Sequence, residues 1–462
     1  MHSRTRLFGS IAIAAVFSGC VVNGKFSKPE LSQTPKQFAQ ASNTDTSALI
    51  SWFDVYNDTV LQRFIRTTID SNRNLMLAAY RIEESREQAG IVKANLYPAF
   101  GYQLQAGGGQ AGIDARKIGA GVDGGALRAL GTINWEIDVW GRLRSINQAA
   151  YNNFLADVES RNAAIVSLVA EVASQYFLLR DLDNRLAVAK RTLEVRKEST
   201  RIIAERFNKG YVAEVDKLQA EQQEALAAAA IPAFERQIIV VQNAIRTLMG
   251  LPPGPLERGM SLYAQNVSPD IPAGIPSQLL QRRPDIREAE RRLEAQFNNI
   301  GVAKANLYPQ FSLTALLGFA SPQLSSFVSG SGFVANGFAN LVGPIFQFGQ
   351  NKRRVKIEEY RTKQVMYSYE QTVLRAFAEV DNALAQYRTY NEELQVRQNL
   401  TKAAKKSLEL TRAKYDYGYS SYYEVLIQEN YLFDAELAES VTLQQRINAL
   451  VQLYKALGGG WQ

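Results

Sequence analysis

The sequence predicts a mainly α-helical protein with a transmembrane β part, assembled from a duplicated half-unit. Two stretches, 142–209 and 350–417, run 68 residues each without a glycine or a proline and begin 208 positions apart. Lys93-Ala94-Asn95-Leu96-Tyr97-Pro98-Ala99-Phe100 recurs as Lys304-Ala305-Asn306-Leu307-Tyr308-Pro309-Gln310-Phe311, with one change in eight. Between these landmarks lie segments whose apolar and polar residues alternate, the period of a strand. A repeated half marks each unit as one supersecondary block that meets its copy across a pseudo-twofold relation.

The first residues read as a secretory signal over 1–19. Arg4 and Arg6 precede an apolar run over 7–17, and Ser18-Gly19-Cys20 follows. The pattern resembles a bacterial lipobox, which implies that Cys20 is acylated and opens the mature chain, although Phe17 stands where that motif usually has Leu. Cys20 is the single cysteine, so no internal disulfide forms. Val21, rather than Asp, follows it, which by resemblance to lipoprotein sorting signals points to the outer membrane. Residues 20–50 are then a lipid-anchored extended segment.

The first repeat is expected over 51–250 and the second over 277–462, with the proline-rich 251–276 as the linker. Each begins with a helix of about 25 residues, near 72–96 and 284–307, stopped at Tyr-Pro because Pro98 and Pro309 lack an N–H and restrict the residue before them. Hairpins follow at about 98–139 and 309–346. Ile133, Trp135, Ile137 and Val139 share one face against Thr132, Asn134, Glu136 and Asp138; Phe311, Leu313, Ala315, Leu317 and Phe319 oppose Ser312 and Thr314. Four strands of about ten residues suit tilted bilayer crossings with apolar residues outward, although a soluble hairpin on a core has the same alternation. A single-chain barrel needs at least about 8 strands and hydrocarbon tolerates no open edge. Four strands per chain therefore require an oligomer, and three copies would supply 12.

The long helices are expected at about 141–209 and 349–417. At 1.5 Å per residue each reaches about 100 Å, whereas a compact domain of this length has a radius of gyration near about 22 Å. Glu171, Arg180, Asp181, Asp183 and Arg185 argue against a membrane span. Ile165, Leu168, Val172, Leu179, Leu182, Leu186, Ala189, Leu193, Ile203 and Phe207 fall on steps of three and four. Val373, Ala376, Val380, Ala383, Tyr387, Tyr390, Leu394, Ala404, Leu408 and Tyr415 do the same in the second helix. Such seams imply side-by-side helix packing. Return helices follow at about 212–249 and 421–457, with a kink expected at Pro232, where the second repeat has Ser440.

Composition narrows the chemistry. The formal net charge of +7 falls to about +5 once Arg4 and Arg6 leave with the signal, and no basic block points to nucleic acid. The one histidine, His2, lies in the signal. Without imidazole or a free thiol, Ser-His-Asp and Cys-His catalysis and most zinc or copper sites are excluded, and neither an enzymatic role nor a cofactor or metal is expected. Two non-enzymatic readings stand: a passive duct, and a trimeric coiled-coil lipoprotein that spaces membranes or adheres. The alternating strands and Tyr-Pro junctions favour the duct, since a spacer needs no barrel.

Several stretches resemble the TolC-like outer-membrane efflux factors, in the lipoprotein branch serving resistance-nodulation-division drug pumps. They are Trp135-Glu136-Ile137-Asp138-Val139-Trp140-Gly141-Arg142, Leu248-Met249-Gly250-Leu251-Pro252-Pro253-Gly254, Arg283-Pro284-Asp285-Ile286-Arg287-Glu288-Ala289-Glu290, Gly301-Val302-Ala303-Lys304-Ala305 and Leu457-Gly458-Gly459-Gly460-Trp461. The resemblance implies a homotrimer with a 12-stranded barrel in outer-membrane lipid and a long α-helical barrel in the periplasm. It also implies docking to a periplasmic adaptor and an inner-membrane pump. In that family the tunnel closes where each long helix turns into its return helix, here at Asn208-Lys209-Gly210-Tyr211 and Asp416-Tyr417-Gly418-Tyr419. By match, Asp216 and Tyr415 are candidate links holding the tip shut. Glu424 falls where the family places a carboxylate ring, and Ile427 replaces a common second acid with an apolar constriction. With Asp416 these residues form the candidate gate, and Gly210 and Gly418 its turns. As plain surface residues, Asp216 and Glu424 would be solvated turn charges and Ile427 helix-packing core.

Overall fold

The computed structural model describes residues 22, 24–29, 55–109, 124–265, 280–321, 327 and 332–459; the expected signal, Cys20 and residues 266–276 of the linker lie outside them. Seven α-helices and four strands are described: α1 Thr59–Ser71, α2 Arg73–Ala94, β1 Ala99–Gly109, β2 Gly124–Ile137, α3 Arg142–Asn208, α4 Glu214–Leu248, α5 Pro284–Ala305, β3 Gln310–Ser321, β4 Phe333–Val342, α6 Gln350–Asp416 and α7 Tyr422–Ala456. A short 3₁₀ turn, Leu262–Ala264, precedes α5.

Two compact units emerge, and each draws on both repeats. One takes residues 1–30, 81–158 and 288–370 and holds the sheet; the other takes 31–80, 159–287 and 371–462 and holds both helical turns. In the first unit the strands form one antiparallel meander in the order β1-β2-β3-β4. Ala99 pairs with Asn134, Asn134 with Thr314, and Thr314 with Phe338. That register places Phe100, Tyr102 and Leu104 on the face of Ile133, Trp135, Leu313, Leu317, Leu341 and Ala339. Gln103, Thr132, Asn134, Thr314 and Asn340 line the other face, together with Leu130, Leu316 and Phe338, so one face is apolar throughout and the other is mixed.

The sequence periodicity carries β2 too far. The strand ends at Ile137, and Asp138 turns to cap α3, accepting from the backbone N–H of Leu143 (3.1 Å) and Arg144 (2.8 Å). Gly141, at φ 79°, makes that reversal possible. Arg142 then holds Glu136 through two bonds of 2.9 and 2.6 Å, a bidentate pair that fixes strand end to helix start.

α3 and α6 are unbroken for 67 residues each. Every seam residue on both is buried or half-buried, with Val172, Ala173, Tyr176, Phe177 and Leu179 fully so. One 18-residue window of α3, of mean hydropathy 1.4, is apolar enough for a membrane span, but half of it is buried within the chain. Tyr176 packs edge-on against Phe64 (5.9 Å) and Phe177 against Tyr56 (6.1 Å), the arrangement of a protein core. The helix expected near 72–96 is α2, and α1 precedes it as a separate helix that the spacing does not predict. Asn72 ends α1 and caps α2, its side chain accepting from Asn74 and Leu75 while donating to the Leu248 carbonyl at 2.7 Å. α4 is one continuous helix with Pro232, the position of the expected kink, inside it.

Asp58 organises the second unit. It caps α1 through the N–H groups of Val60 and Leu61 and accepts from the Tyr176 hydroxyl (2.6 Å), the Met260 N–H (2.8 Å) and Gln265 (2.8 Å). Burial alone would raise its pKa, but these bonds outweigh burial and hold it below the usual carboxylate value. Only glycine fits at 259, where a Cβ would lie 2.2 Å from an Asp58 oxygen. Asp58→Ala should lower stability by about 3 kcal/mol by orphaning several buried donors, read as a drop in the thermal midpoint of detergent-solubilised protein. Because the folded pKa is depressed, the carboxylate's contribution is complete above pH about 4 and is lost as pH falls through the lower folded value. Asp58→Asn should therefore flatten the acid limb of the stability curve.

Candidate functional site at the two helical turns

The two long helices end alike. Gly210 (φ 72°) donates to the Phe207 carbonyl at 2.8 Å and Tyr211 to that of Arg206 at 2.9 Å. In the second repeat Gly418 (φ 79°) donates to Tyr415 at 3.0 Å and Tyr419 to Lys414 at 2.8 Å. Both are Schellman turns, which satisfy the last helical carbonyls and need a left-handed residue after the cap. The two turn glycines of the sequence reading thus have one physical role.

The return helices share a cap between them, half in each copy. At α4 the cap residue is Ala213, which has no side-chain oxygen, and Asp216 reaches back to its N–H at 3.3 Å. At α7 the cap is Ser421, whose hydroxyl accepts from the Glu424 N–H at 3.4 Å, while the Glu424 carboxylate accepts from Ser420 at 2.7 Å. A full capping box needs both halves. Glu424 is exposed and Ile427 half-buried.

Within the chain, Asp216 and Tyr415 take different partners. The Tyr415 hydroxyl accepts from Arg206 at 2.7 Å, and the same guanidinium lies over its ring, 5.1 Å from the centroid. The ring also meets Tyr422 at 5.6 Å. Arg206 on α3 thus grips Tyr415 on α6, combining a charged hydrogen bond with a cation–π contact. Beneath them Ile203, Ala220, Tyr422, Val425 and Leu426 form a buried cluster. Burial and the nearby Glu429 raise the Tyr422 hydroxyl pKa well above its ordinary value, keeping it neutral. Asp416 is exposed and borders two adjoining grooves of about 490 and 520 Å³, the second also lined by Arg206 and Tyr415.

Farther from the turn, Arg196 is buried. It donates to the Gln223 carbonyl of α4 at 2.9 Å and to Asn430 of α7 at 2.7 Å, with its guanidinium over Phe433. Burial pulls its pKa below the usual arginine value, against Glu429 and Asp434. Thr200, one turn on, donates to the Ala220 carbonyl at 3.2 Å. Arg412 joins Glu429 at 2.5 Å, tying α6 to α7. None of these stands out in the sequence reading. A signal exists: Arg196 and Thr200 fill the gap between Leu193 and Ile203 in the three-four seam, where apolar residues are otherwise regular. A guanidinium, hydroxyl and carboxylate set of this kind holds neighbouring helices together.

The chain matches the family model described as outer membrane efflux protein over residues 64–251 and again over 275–459, one match per repeat. It is 31% identical to a toluene efflux pump outer membrane protein, TtgC, of Pseudomonas putida, across 99% of this chain and 96% of that one. It is 31% identical to the probable outer membrane lipoprotein SilC of Salmonella typhimurium across 98% of both. The open state of the Neisseria gonorrhoeae MtrE outer membrane channel superposes at a TM-score of 0.87 with 28% identity, covering 96% of this chain and 99% of its own. The Campylobacter jejuni CmeC outer membrane channel does so at 0.89 with 26% identity, covering 96% and 95%. Helical repeats, a strand meander and matched turns define an outer-membrane channel of efflux systems. The chain belongs to the outer membrane efflux protein family.

Ser421→Ala should weaken the start of α7 by about 1 kcal/mol, and Ala213→Ser should strengthen α4 by a similar amount by completing its box. Amide hydrogen exchange checks both: faster exchange at Glu424 in the first variant, slower exchange at Asp216 in the second.

Proposed function

We propose that three copies of the chain form a passive exit duct for drugs or other small molecules, closed at rest by the two helical turns of each copy. A periplasmic adaptor and an inner-membrane pump of the resistance-nodulation-division class would dock to it. Acylation of Cys20 would anchor the mature chain in outer-membrane lipid. The observation that carries the trimer is the open meander: β1 and β4 have no further partner strand among the described residues, and a sheet in hydrocarbon must close.

The gate reading rests on the turns. Glu424 is exposed at the first turn of α7, so copies around an axis would present a ring of carboxylates that draws cations, with Ile427 one turn behind as an apolar constriction. Asp216, half-buried at the other turn, and Asp416, exposed beside the grooves, add two more acids. Tyr415, gripped by Arg206, ties the two long helices. Opening would separate that pair. Losing a hydrogen bond to a charged group is worth about 1.5–3 kcal/mol, so Arg206→Ala should raise the open fraction about tenfold or more.

Conductance of purified protein in planar bilayers tests the duct; absence of any pore sinks it. Glu424→Ala, Ile427→Gly and Arg206→Ala should each raise antibiotic uptake in cells lacking the pump. Unchanged permeability in all three would remove the turns from gating.

A further inference from the structure

The two hairpins share a fold but not a charge pattern. From Ala305 to Asn351 the second repeat runs 47 residues without one charged side chain, and then Lys352, Arg353, Arg354 and Lys356 follow within five positions. Lys304 closes the other side of the same stretch. In the first repeat, Glu136 and Asp138 stand at the end of β2, and both are taken by Arg142 and Arg144 at the start of α3. At an offset of 208 those acids become Pro344 and Phe346, while Ser145, Ile146 and Gln148 become Arg353, Arg354 and Lys356. A strand running into a long helix therefore needs none of the three added cations.

Nothing within the chain favours these cations where they are. All four are exposed, and none forms an ion pair among the described residues. Glu358, the next acid along α6, is held by Arg361 at 2.6 Å and Gln296 at 2.7 Å, which leaves Glu359 alone against four cations. The first turn of α6 contains no acid, and cations there oppose the partial positive charge of a helix start. Four like charges so placed raise the energy of the folded chain unless an anion from outside compensates. The surroundings identify that anion. Ile345, Phe346 and Phe348 are exposed between β4 and the cations, the two rings 4.6 Å apart. At the same end of the meander Tyr97 and Tyr308 precede β1 and β3, and Trp140, just past β2, stacks on Tyr308 at 4.7 Å. Aromatic side chains at one end of bilayer-crossing strands mark the boundary between lipid and water. A charge-free hairpin, an aromatic belt and a block of cations thus come in the order of hydrocarbon, interface and headgroup phosphate.

We propose that Lys352, Arg353, Arg354 and Lys356 bind the phosphates of anionic phospholipids in the leaflet at the helical end of the sheet, with Ile345, Phe346 and Phe348 set among the adjoining acyl chains. At about 100° per residue, Lys352, Arg353 and Lys356 fall within one arc of about 100° on α6, so a single patch of headgroups meets all three. The arginines offer forked donors matched to phosphate, and the lysines act as point charges. The site gathers anionic lipid around the channel and fixes the depth of the sheet in the membrane. It depends on the sheet lying in the outer membrane and not on the gate reading.

Lipid selectivity tests this in the full-length protein reconstituted into phosphatidylcholine bilayers, read by electron spin resonance of trace spin-labelled phosphatidylglycerol or phosphatidylcholine. The wild type should favour phosphatidylglycerol at its surface by about fivefold or more, the effect of one basic residue near a lipid surface, and about 1 M salt should abolish the preference. Replacing all four cations, as Lys352→Gln, Arg353→Gln, Arg354→Gln and Lys356→Gln together, should abolish it as well. Lys402→Gln, Lys405→Gln and Lys406→Gln together remove charge elsewhere on α6 and should keep it, as should Lys352→Arg with Lys356→Arg. A preference unchanged in the fourfold variant, or one that survives high salt, overturns the proposal. If the fourfold variant does not insert, Arg353→Gln and Lys356→Gln singly must each lower the preference, and no change in either overturns it. Added inorganic phosphate, compared with chloride at equal ionic strength, should leave the preference in place; its loss would assign the cations to a free anion and overturn the choice of lipid. Faster dissociation of fourfold-variant oligomers in lipid-free detergent would assign them to a neighbouring copy and overturn it equally.

Discussion

In hydrocarbon every backbone N–H and carbonyl must find a protein partner, and the β meander cannot meet that demand alone. Water absorbs the unpaired edge of a soluble sheet; lipid does not. This constraint explains why the two edge strands, β1 and β4, could stay free of charge and proline, and why the hairpins keep one register between repeats. It also explains the abrupt strand ends. Asp138, Gly141 and the Glu136–Arg142 pair convert ladder bonding into helix capping within a few residues, so no donor is left idle where one element hands over to the next.

The helices solve a different problem. A 67-residue helix has one narrow apolar stripe, and α3 and α6 bury theirs along the whole seam. At intervals the stripe is interrupted by Arg196, Thr200 and Arg412, whose hydrogen bonds reach α4 and α7. Such interruptions weaken hydrophobic packing yet fix which helix lies beside which, since a buried guanidinium is tolerated only where its acceptors are. Near the turns the pattern becomes denser, through Arg206, Tyr415, Tyr422 and Glu429. The part of the molecule read as the gate is therefore held by directional bonds as well as by the buried cluster of Ile203, Ala220, Val425 and Leu426.

Much of this was legible in the sequence because it is periodic. The duplication, the strand faces, the long helices and the turn glycines all follow from spacing, and Tyr-Pro and Gly place the boundaries within a few residues. What spacing does not encode is contact between the repeats. The 208-residue offset between repeats makes Arg206 equivalent to Lys414 and Phe207 to Tyr415, yet the bond runs from Arg206 to Tyr415, across the repeat relation. Asn72 reads correctly as the start of α2, but α1, which ends at the same asparagine, carries no Gly or Pro boundary to announce it. Asp138 looks like a strand residue because alternation continues one residue beyond the ladder. α4 continues through Pro232, where nearby alanines are strong helix formers.

The Schellman turns have a consequence for how such a protein diversifies. Their shape depends on main-chain bonds and one left-handed glycine each, while the two residues before those glycines, Asn208-Lys209 in one and Asp416-Tyr417 in the other, already differ between the two repeats. Charge and bulk at the tips are thus decoupled from their geometry. A lineage can rewrite the chemistry of this end of the molecule by point substitution, acquiring new recognition properties on an unchanged scaffold.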